Sequence, residues 1–306
     1  MIDILLASCN GEKYIAEQID SILNQSFKDW YLFIKDDCST DDTIKIILEY
    51  EKKYKDKIQV ILSDKSSGSA KNNFFSLLQY SKNDYIMMSD QDDVWLPDKI
   101  ELTLKKMIDS EKKYLNLPIL VHSDLIVVDE NLNIINNSFF KLQNFDSNRD
   151  KLNNLLVQNI VTGCTVMINR NLLNFIRIIP KRAIMHDWWM ALIASAVGMI
   201  IYIESPTILY RQHGNNCVGA KDAKSLSYIL TMLNKGYAIK KALNDTYSQS
   251  DELLTTINII DEKNRSIIKH YSSLNNSNKL NKLKIFINYN IWKNGFIKII
   301  GQILFC

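Results

Sequence analysis

The stretch Ile2-Asp3-Ile4-Leu5-Leu6-Ala7-Ser8-Cys9-Asn10-Gly11 decides the fold, because an apolar run of strand length ends abruptly in polar turn residues. The same alternation continues with predicted helices over 12–25, 41–54 and 70–81 and predicted strands over 31–35, 58–62 and 85–88. Strands separated by helices of this length are joined as parallel neighbours through crossovers, with helices on both faces of the sheet. The sequence therefore predicts an α/β fold.

The remaining chain extends this pattern and then changes character. Pro97 opens a predicted helix that ends near residue 111, and strands are predicted over 119–121, 125–128, 165–168 and 200–203, with a helix over 187–196. Beyond residue 224 the pattern is helical throughout. We therefore predict an α/β domain over residues 1–220 and a mostly helical C-terminal region over residues 221–306.

Positive charge is concentrated in that C-terminal region. From Lys263 to Cys306 there are eight Lys and Arg and no Asp or Glu, so the net charge of +3 leaves Met1 to Glu262 at −5. Apolar side chains alternate with the lysines, a composition that suits the anionic surface of a cytoplasmic membrane. Packing against the rest of the protein or against a second subunit in a homodimer explains the pattern equally well. No feature of the chain indicates a nucleic-acid partner.

Cysteine usage and the N-terminus indicate the compartment. The five cysteines are scattered without C-x-x-C spacing, so neither a disulfide framework nor a zinc site is predicted. The chain begins directly with an apolar strand, without a basic segment ahead of it, which differs from a signal peptide. Lys293 and Lys298 interrupt the most apolar part of the tail. We expect a cytoplasmic protein, with attachment to the inner face of the cytoplasmic membrane as an option.

Polar residues follow three of the predicted strands, over 8–11, 36–42 and 89–93. Ligands of open parallel sheets bind beyond the carboxyl ends of the strands, so all three loops would open onto one crevice. The first two loops also suit a turn and a helix N-cap. Asp90, Asp92 and Asp93 would repel one another unless a cation or protonation relieves them. Oxygen ligands of this kind suit Mg²⁺ or Mn²⁺ with a diphosphate substrate.

Five segments together resemble one family. The chain is similar, over approximately residues 2–219, to the inverting glycosyltransferases of family 2 with the GT-A fold, and among them to bacterial rhamnosyltransferase-like members. The segments that carry the resemblance are Ser8-Cys9-Asn10-Gly11-Glu12-Lys13-Tyr14-Ile15, Asp36-Asp37-Cys38-Ser39-Thr40-Asp41-Asp42-Thr43, Ser89-Asp90-Gln91-Asp92-Asp93-Val94-Trp95, His186-Asp187-Trp188-Trp189 and Tyr210-Arg211-Gln212-His213-Gly214-Asn215-Asn216. Cys9 and Cys38 depart from the family pattern, which commonly has an aromatic residue and a glycine there.

The resemblance implies a Rossmann-like catalytic domain over 1–220, with a donor-binding half over about 1–95 and an acceptor half over about 96–220. It implies that Asp187 is the catalytic base, that Asp37 binds the pyrimidine base of the donor, and that Mn²⁺ or Mg²⁺ is the cofactor. The metal ligands would be Asp92, Asp93 and His213. The further donor-binding residues would be Ala7, Ser8, Asn10, Asp90, Asp92 and Arg211. Acceptor contacts would come from Trp95, His186, Trp188 and Trp189.

The expected reaction is inverting transfer of a sugar from a nucleotide diphosphate donor, best matched by dTDP-rhamnose, to a hydroxyl of a lipid-linked cell-surface polysaccharide. A UDP-hexose donor is the first alternative. A metal-dependent phosphohydrolase or nucleotidyltransferase would use the same aspartates, and a non-catalytic sugar-binding module would bind without turnover. A dinucleotide oxidoreductase is disfavoured because no G-x-G-x-x-G follows the first strand, and a glycosidase needs no metal cluster.

Overall fold

The computed structural model describes residues 1–176, 180–214 and 236–306. The chain divides into two compact units. Unit 1 consists of Met1–Phe139, Val161–Ile179 and Ile201–Gly219, and unit 2 consists of Phe140–Ile160, Pro180–Ile200 and Ala220–Cys306. The predicted domain boundary between residues 220 and 221 lies outside the described residues, and the division into donor and acceptor halves stays a prediction.

Eleven strands are present among the described residues, in two sheets. They are β1 Ile2–Ser8, β2 Trp30–Asp36, β3 Ile58–Leu62, β4 Tyr85–Ser89, β5 Val94–Trp95, β6 Ile119–Ser123, β7 Ile126–Val128, β8 Ile134–Asn136, β9 Met167–Asn169, β10 Met199–Ile203 and β11 Ile208–Arg211. The larger sheet has the order β10-β6-β9-β4-β1-β2-β3, and the smaller has the order β5-β11-β7-β8. The larger sheet carries the predicted strands of the first hundred residues.

Strand β1 occupies the centre of the parallel part of this sheet. Ile4 aligns with Leu32 of β2 on one side and with Met87 of β4 on the other, and both pairings are parallel. All seven residues of β1 are buried, which explains why the strand is apolar from Ile4 to Ala7. β2 and β3 are also parallel. The parallel order predicted for these four strands is confirmed.

The sheet becomes mixed beyond β4. Strand β9 inserts between β4 and β6 and runs antiparallel to both. The sequence predicted this strand but gave no signal of its direction. Strands β5, β8 and β11 of the smaller sheet, which have two, three and four residues, were not predicted, although the equally short β7 and β9 were. Runs this short carry too few positions to show a period-2 pattern.

Helices cover the strands as the amphipathic patterns predicted. Those of the first 176 residues are α1 Ile15–Leu23, α2 Thr43–Lys53, α3 Ala70–Leu77, α4 Lys99–Lys113, α5 Phe139–Gln143, α6 Leu152–Leu155 and α7 Arg170–Leu173. In α1, Ile15, Ile19 and Ile22 are buried at spacings of four and three residues, so one face of the helix contacts the core. Helices α5 to α7 were not predicted because each spans no more than five residues.

Unit 2 is mostly helical. Its longer helices are α8 His186–Val197, α9 Gly236–Thr256, α10 Glu262–Ser272, α11 Lys279–Asn288 and α12 Phe296–Phe305. Its core contains the fully buried side chains of Trp189, Tyr247, Tyr271 and Phe286. An α/β domain with a mixed sheet, followed by a helical C-terminal region, agrees with the predicted fold class. None of the described helices has the length and apolar character that a transmembrane span requires.

Candidate functional site

The carboxyl ends of β1, β2 and β4 lie side by side in unit 1. Ser8, the last residue of β1, aligns with Asp36 at the end of β2, and Leu6 aligns with Ser89 at the end of β4. The loops that follow these strands are therefore neighbours. Ala7 and Ser8 are both at most 9% exposed, which puts the predicted donor contacts of β1 in the floor of this edge.

Hydrogen bonds fasten the loop after β1 to the loop after β2. The Asn10 side-chain oxygen accepts a hydrogen bond from the Thr40 backbone N–H at 2.8 Å, and the Gly11 N–H donates to the Thr43 hydroxyl at 2.7 Å. Asn10 and Cys38 adopt left-handed backbone conformations, with φ of 50° and 63°. Glycine is favoured at such positions, which gives a physical reason for the glycine that the family commonly has in place of Cys38.

Gln91 fastens the loop after β4 to the loop after β1. Its side-chain oxygen accepts a hydrogen bond from the Cys9 N–H at 2.8 Å, and its side-chain nitrogen donates to the Cys9 carbonyl at 3.0 Å. Gly11 permits this approach, because a Cβ there would lie 2.3 Å from the Gln91 Oε1 atom. The sequence did not predict a role for Gln91, because its partner is the backbone of Cys9, which no sequence motif identifies.

The two aspartates after β2 have different surroundings. Asp36 accepts hydrogen bonds from the hydroxyls of Ser8 and Ser39, at 3.1 and 2.5 Å, and is 1% exposed. Asp37 accepts from the Ser67 N–H at 2.6 Å and from the hydroxyls of Ser66 and Ser67 at 3.0 Å each. A carboxylate offers about four acceptor positions, so these three bonds from described residues leave one position of Asp37 for a ligand donor.

Asp93 is the most buried carboxylate of the loop after β4. Its side chain is 0% exposed, and its Oδ1 atom accepts from the Arg211 backbone N–H at 3.3 Å. The Oδ2 atom has no hydrogen-bond partner among the described residues. Burial, followed by the charges of Asp92 and Asp90, raises the pKa of Asp93 well above its usual value. The native state therefore disfavours the ionised form of this carboxyl in the absence of a cation.

Cys164 and Lys99 are two fully buried groups beside Asp93 that the sequence did not single out. Burial and the nearby Asp93 charge raise the pKa of the Cys164 thiol. Burial lowers the pKa of Lys99 to about 8, against the attraction of Cys164 and Asp93. The Lys99 ammonium lies 4.7 Å from the centre of the Trp95 ring and has no hydrogen-bond partner among residues 1–176, 180–214 and 236–306. No sequence signal marked either residue, since each lies in an ordinary apolar pattern.

Arg211 and His213 at the end of β11 hold the backbone and side chain of Asp92. The Arg211 guanidinium donates to the Asp92 carbonyl at 2.9 Å and to Glu17, and its carbon lies 4.5 Å from the centre of the Tyr14 ring. The His213 Nε2 atom lies 2.8 Å from an Asp92 carboxylate oxygen. These contacts bring the predicted donor and metal residues of β11 to the loop after β4.

Among the described residues, one group of side chains that includes carboxylates lies close enough together to hold a single metal ion. Potential ligand atoms of Asp90, Asp93 and Cys164 all lie within 4.8 Å of one another. The predicted ligands Asp92 and His213 instead contact each other, next to this group. The carboxylates of Asp90 and Asp93 fit Mg²⁺ or Mn²⁺, and the Asp93 Oδ2 atom has no hydrogen-bond partner among the described residues. The Cys164 thiol, whose pKa burial raises, is a soft group that these ions do not favour.

Asp187 lies in unit 2, in the first turn of α8. Its carboxylate accepts a hydrogen bond from the Trp188 backbone N–H at 2.6 Å. The Trp188 indole N–H donates to the Leu155 carbonyl at 2.6 Å, which fixes the start of α8 to α6. The adjacent His186 is 3% exposed, and burial lowers its pKa to about 3, so it is neutral at physiological pH. Asp187 itself, between His186 and Trp188, is partly exposed.

The four residues predicted to contact the acceptor differ in exposure. Trp189 is 0% and Trp95 is 2% exposed, so both rings contribute to hydrophobic cores. His186 is also buried, and Trp188 alone among the four has intermediate exposure. Two tryptophans in sequence at the start of a helix face different sides, since successive residues are about 100° apart around the axis.

Comparison with known proteins identifies the fold and the family. The chain resembles the structure of TarS residues 1–349 from S. aureus in complex with UDP, with a TM-score of 0.54 and 15% identity over 94% of this chain and 91% of the other. It also resembles the mannosyltransferase PcManGT from Pyrobaculum calidifontis in complex with GDP-Man and Mn²⁺, with a TM-score of 0.58 and 13% identity over 94% of this chain and 73% of the other. The fold is that of GT-A glycosyltransferases, as the resemblance implied.

The family follows from the sequence. Residues 3–175 match the model of Glycosyl transferase family 2, and the chain belongs to this family. A dTDP-rhamnosyl transferase, RfbG of Shigella flexneri, is 30% identical over 234 residues, which are 73% of this chain and 76% of the relative. The Escherichia coli glucosyltransferase WfgD, named for UDP-Glc and α-D-GlcNAc-diphosphoundecaprenol, is 28% identical over 57% of this chain and 62% of its own length.

Replacing Asp93 by Asn is expected to stabilise the metal-free protein. The pKa of Asp93 is higher in the native state than in the unfolded state, so between these two pKa values the native state binds more protons. The free energy of unfolding therefore falls as the pH rises from the unfolded pKa to the native pKa. In EDTA, Asp93→Asn should raise the free energy of unfolding at pH 8 by on the order of 1 kcal/mol or more, and by less at pH 5. Urea unfolding at both pH values measures this, with the exposed Asp64→Asn as control. A gain that is equal at both pH values would contradict the argument.

The Gln91 contact is testable by a double-mutant cycle. Gln91→Ala should cost about 1–2 kcal/mol through loss of its two hydrogen bonds with Cys9. Gly11→Ala should cost about 1–3 kcal/mol because the new methyl group displaces the same side chain. The double variant should therefore lose less than the sum, as measured by urea unfolding. Additive costs would show that the two residues do not share this contact.

Proposed function

We propose that the chain is an inverting, metal-dependent glycosyltransferase that takes its sugar from a nucleotide diphosphate donor bound at the carboxyl edge of β1, β2 and β4. The observation that carries the proposal is the buried Asp93 carboxylate, whose Oδ2 atom has no partner among the described residues, beside Asp90 and Cys164. A divalent cation with a diphosphate would stabilise the ionised form of this carboxyl, which burial disfavours. Membership of family 2 supports the same class of reaction.

The loops after β1 and β2 suit the nucleoside part of the donor. Asp37 is held by Ser66 and Ser67 and keeps one acceptor position for the imide N–H of thymine or uracil. Cytosine presents an acceptor at that ring position, so it would be rejected. Ala7, Ser8 and Asn10 lie next to Asp37 along this edge, and Asp92 is assigned to the ribose. Base preference would thus come from one carboxylate with a fixed orientation.

The loop after β4 suits the diphosphate. Asp90, Asp92 and Asp93 carry the negative charge that a divalent ion needs, with His213 on Asp92. When bound there, Mn²⁺ or Mg²⁺ acts as a Lewis acid that stabilises the departing diphosphate. Arg211 holds the Asp92 backbone through its guanidinium and supplies positive charge at the same loop. The protein would hold these charged side chains in fixed positions, so that they need no rearrangement during the reaction.

Asp187 is assigned as the general base. Its carboxylate would take the proton of the acceptor hydroxyl as that oxygen attacks the anomeric carbon opposite the diphosphate, which inverts the configuration. General-base help typically contributes about 10²–10⁴-fold to the rate. The hydrogen bond from the Trp188 N–H and the anchoring of Trp188 on Leu155 support this role, because they fix the direction of the carboxylate.

The sugar is assigned as rhamnose from dTDP-rhamnose, and the acceptor as a hydroxyl of a lipid-linked cell-surface polysaccharide. The 30% identity to a dTDP-rhamnosyl transferase supports the donor. The relative named for UDP-Glc and a diphosphoundecaprenol acceptor supports the lipid linkage and keeps a UDP-hexose as the second candidate. Both donors carry a base with an imide N–H and fit Asp37 equally.

Thermal shift is the direct test of the donor. Melting temperatures are compared with dTDP, UDP, CDP, dTDP-rhamnose and UDP-glucose, each with and without Mn²⁺, because selective binding stabilises the native state. We expect a metal-dependent shift with dTDP species and none with CDP. A shift with UDP species alone would replace rhamnose by a UDP-hexose. Absence of any shift with the whole panel would contradict nucleotide-sugar binding.

The role of Asp187 is testable by separating binding from turnover. Asp187→Asn should retain the donor-induced thermal shift and lower the transfer rate by about 10²–10⁴-fold. Transfer is measured as release of nucleoside diphosphate with formation of a glycoside, and free sugar without glycoside would instead indicate a hydrolase. The control is Asp150→Asn, a carboxylate elsewhere in unit 2. An Asn variant with the parent rate would remove Asp187 from the mechanism.

A further inference from the structure

The C-terminal helices expose large apolar side chains at helical spacing. In α12, Phe296, Ile300 and Leu304 recur every four residues and are 78%, 39% and 50% exposed. In α11, Leu280 and Ile287 are 80% and 66% exposed. Gly301 and Gln302 of α12 are buried, so this helix has one packed and one exposed face. A face of this kind needs a covering partner, since apolar residues at helical spacing seldom face water together.

These exposed residues belong to neighbouring elements. The Lys279 ammonium, at the first residue of α11, donates to the carbonyl of Leu304 near the end of α12 at 3.2 Å, so the start of α11 lies close to the end of α12. A Cβ on Gly236, the first residue of α9, would lie 2.5 Å from the Phe305 ring. The adjacent Tyr237 is 85% exposed. We call the group Tyr237, Leu280, Ile287, Phe296, Ile300 and Leu304 the C-terminal patch.

Positive charge surrounds the C-terminal patch. Lys279 and Lys284 on α11 and Lys240 on α9 are exposed. Burial, together with the nearby Lys240 charge, lowers the pKa of Lys282. The segment from Lys263 to Cys306 contains no Asp or Glu. The patch therefore combines insertable apolar side chains, an aromatic residue and uncompensated lysines, a composition that matches the headgroup region of an anionic bilayer.

We propose that the C-terminal patch binds the surface of an anionic lipid bilayer, with the apolar face of α12 at the level of the acyl chains and the lysines of α11 at the headgroups. Charge decides between this occupant and a second copy of the chain. A two-fold interface would place the same basic surface on both partners, so like charges would face each other. A bilayer supplies the opposite charge. The proposal goes beyond sugar transfer, because it requires no donor or acceptor.

Sedimentation with vesicles tests the proposal on the full chain. The protein should bind vesicles of phosphatidylglycerol, bind vesicles of phosphatidylcholine weakly, and dissociate from the former in high salt. Lys279→Gln with Lys284→Gln should weaken binding about 25-fold, at about 5-fold for each lysine lost. The matched control is Lys52→Gln with Lys55→Gln, which removes the same charge from exposed positions in unit 1.

The apolar contribution is tested separately. Ile300→Gln with Leu304→Gln should abolish most vesicle binding, whereas Leu48→Gln with Leu62→Gln, also exposed, should not. Melting temperature and nucleotide-induced thermal shift confirm that each variant is folded with its donor site intact. Equal binding to both lipids, or binding that survives the patch variants, would overturn the proposal. So would a dimer that the apolar variants dissociate in the absence of vesicle binding.

Discussion

The pairing of β1 with β2 and β4 is the constraint on which the candidate site depends. Because all three strands are parallel, their carboxyl ends at Ser8, Asp36 and Ser89 lie at the same edge of the sheet. Residues distant in sequence then become hydrogen-bond neighbours, as Asn10 does with Thr40 and Gln91 with Cys9. A strand slipped by one residue would turn every side chain to the opposite face and separate these partners. The buried Asp3 of β1 opposes such a slip, because its carboxylate accepts hydrogen bonds from the Lys82 and Asn83 N–H groups that a shift would break.

The sequence predicted most strands and helices of the first hundred residues, because apolar runs and amphipathic repeats are clear there. Buried strands β1 to β4 and helices α1 to α4 were predicted from apolar runs and amphipathic repeats, with ends that differ by a few residues. The direction of β9 was beyond reach, since antiparallel and parallel strands have the same local pattern. Strands β5, β8 and β11 of the smaller sheet and helices α5 to α7 were not predicted, whereas β7 was. Tertiary pairing, which no local pattern encodes, determines these elements.

The residues of the candidate site likewise divide into those that the sequence marks and those that only tertiary contacts reveal. The aspartate loops and Asp187 could be singled out as candidates because clustered carboxylates and a family resemblance mark them in the sequence. Lys99, Cys164, Ser66 and Ser67 were missed, since lone polar residues in apolar or turn segments carry no signal by themselves. Their importance lies in contacts with Asp93 and Asp37 that only the folded chain reveals. Burial also changes the interpretation of two predicted acceptor residues, because Trp95 and Trp189 pack in cores.

Asp93 shows why such a site is costly to maintain. A fully buried carboxylate with a raised pKa works against folding at neutral pH, and Lys99 beside it offsets part of that cost while itself losing hydration. Folding stability alone would favour apolar residues of similar volume at both positions. An arrangement that is expensive in the free protein and relieved by a cation is the expected signature of preorganisation, because the polar groups are already aimed when the ligand arrives. We therefore attribute the buried Asp93 carboxyl to the proposed cation site rather than to folding stability.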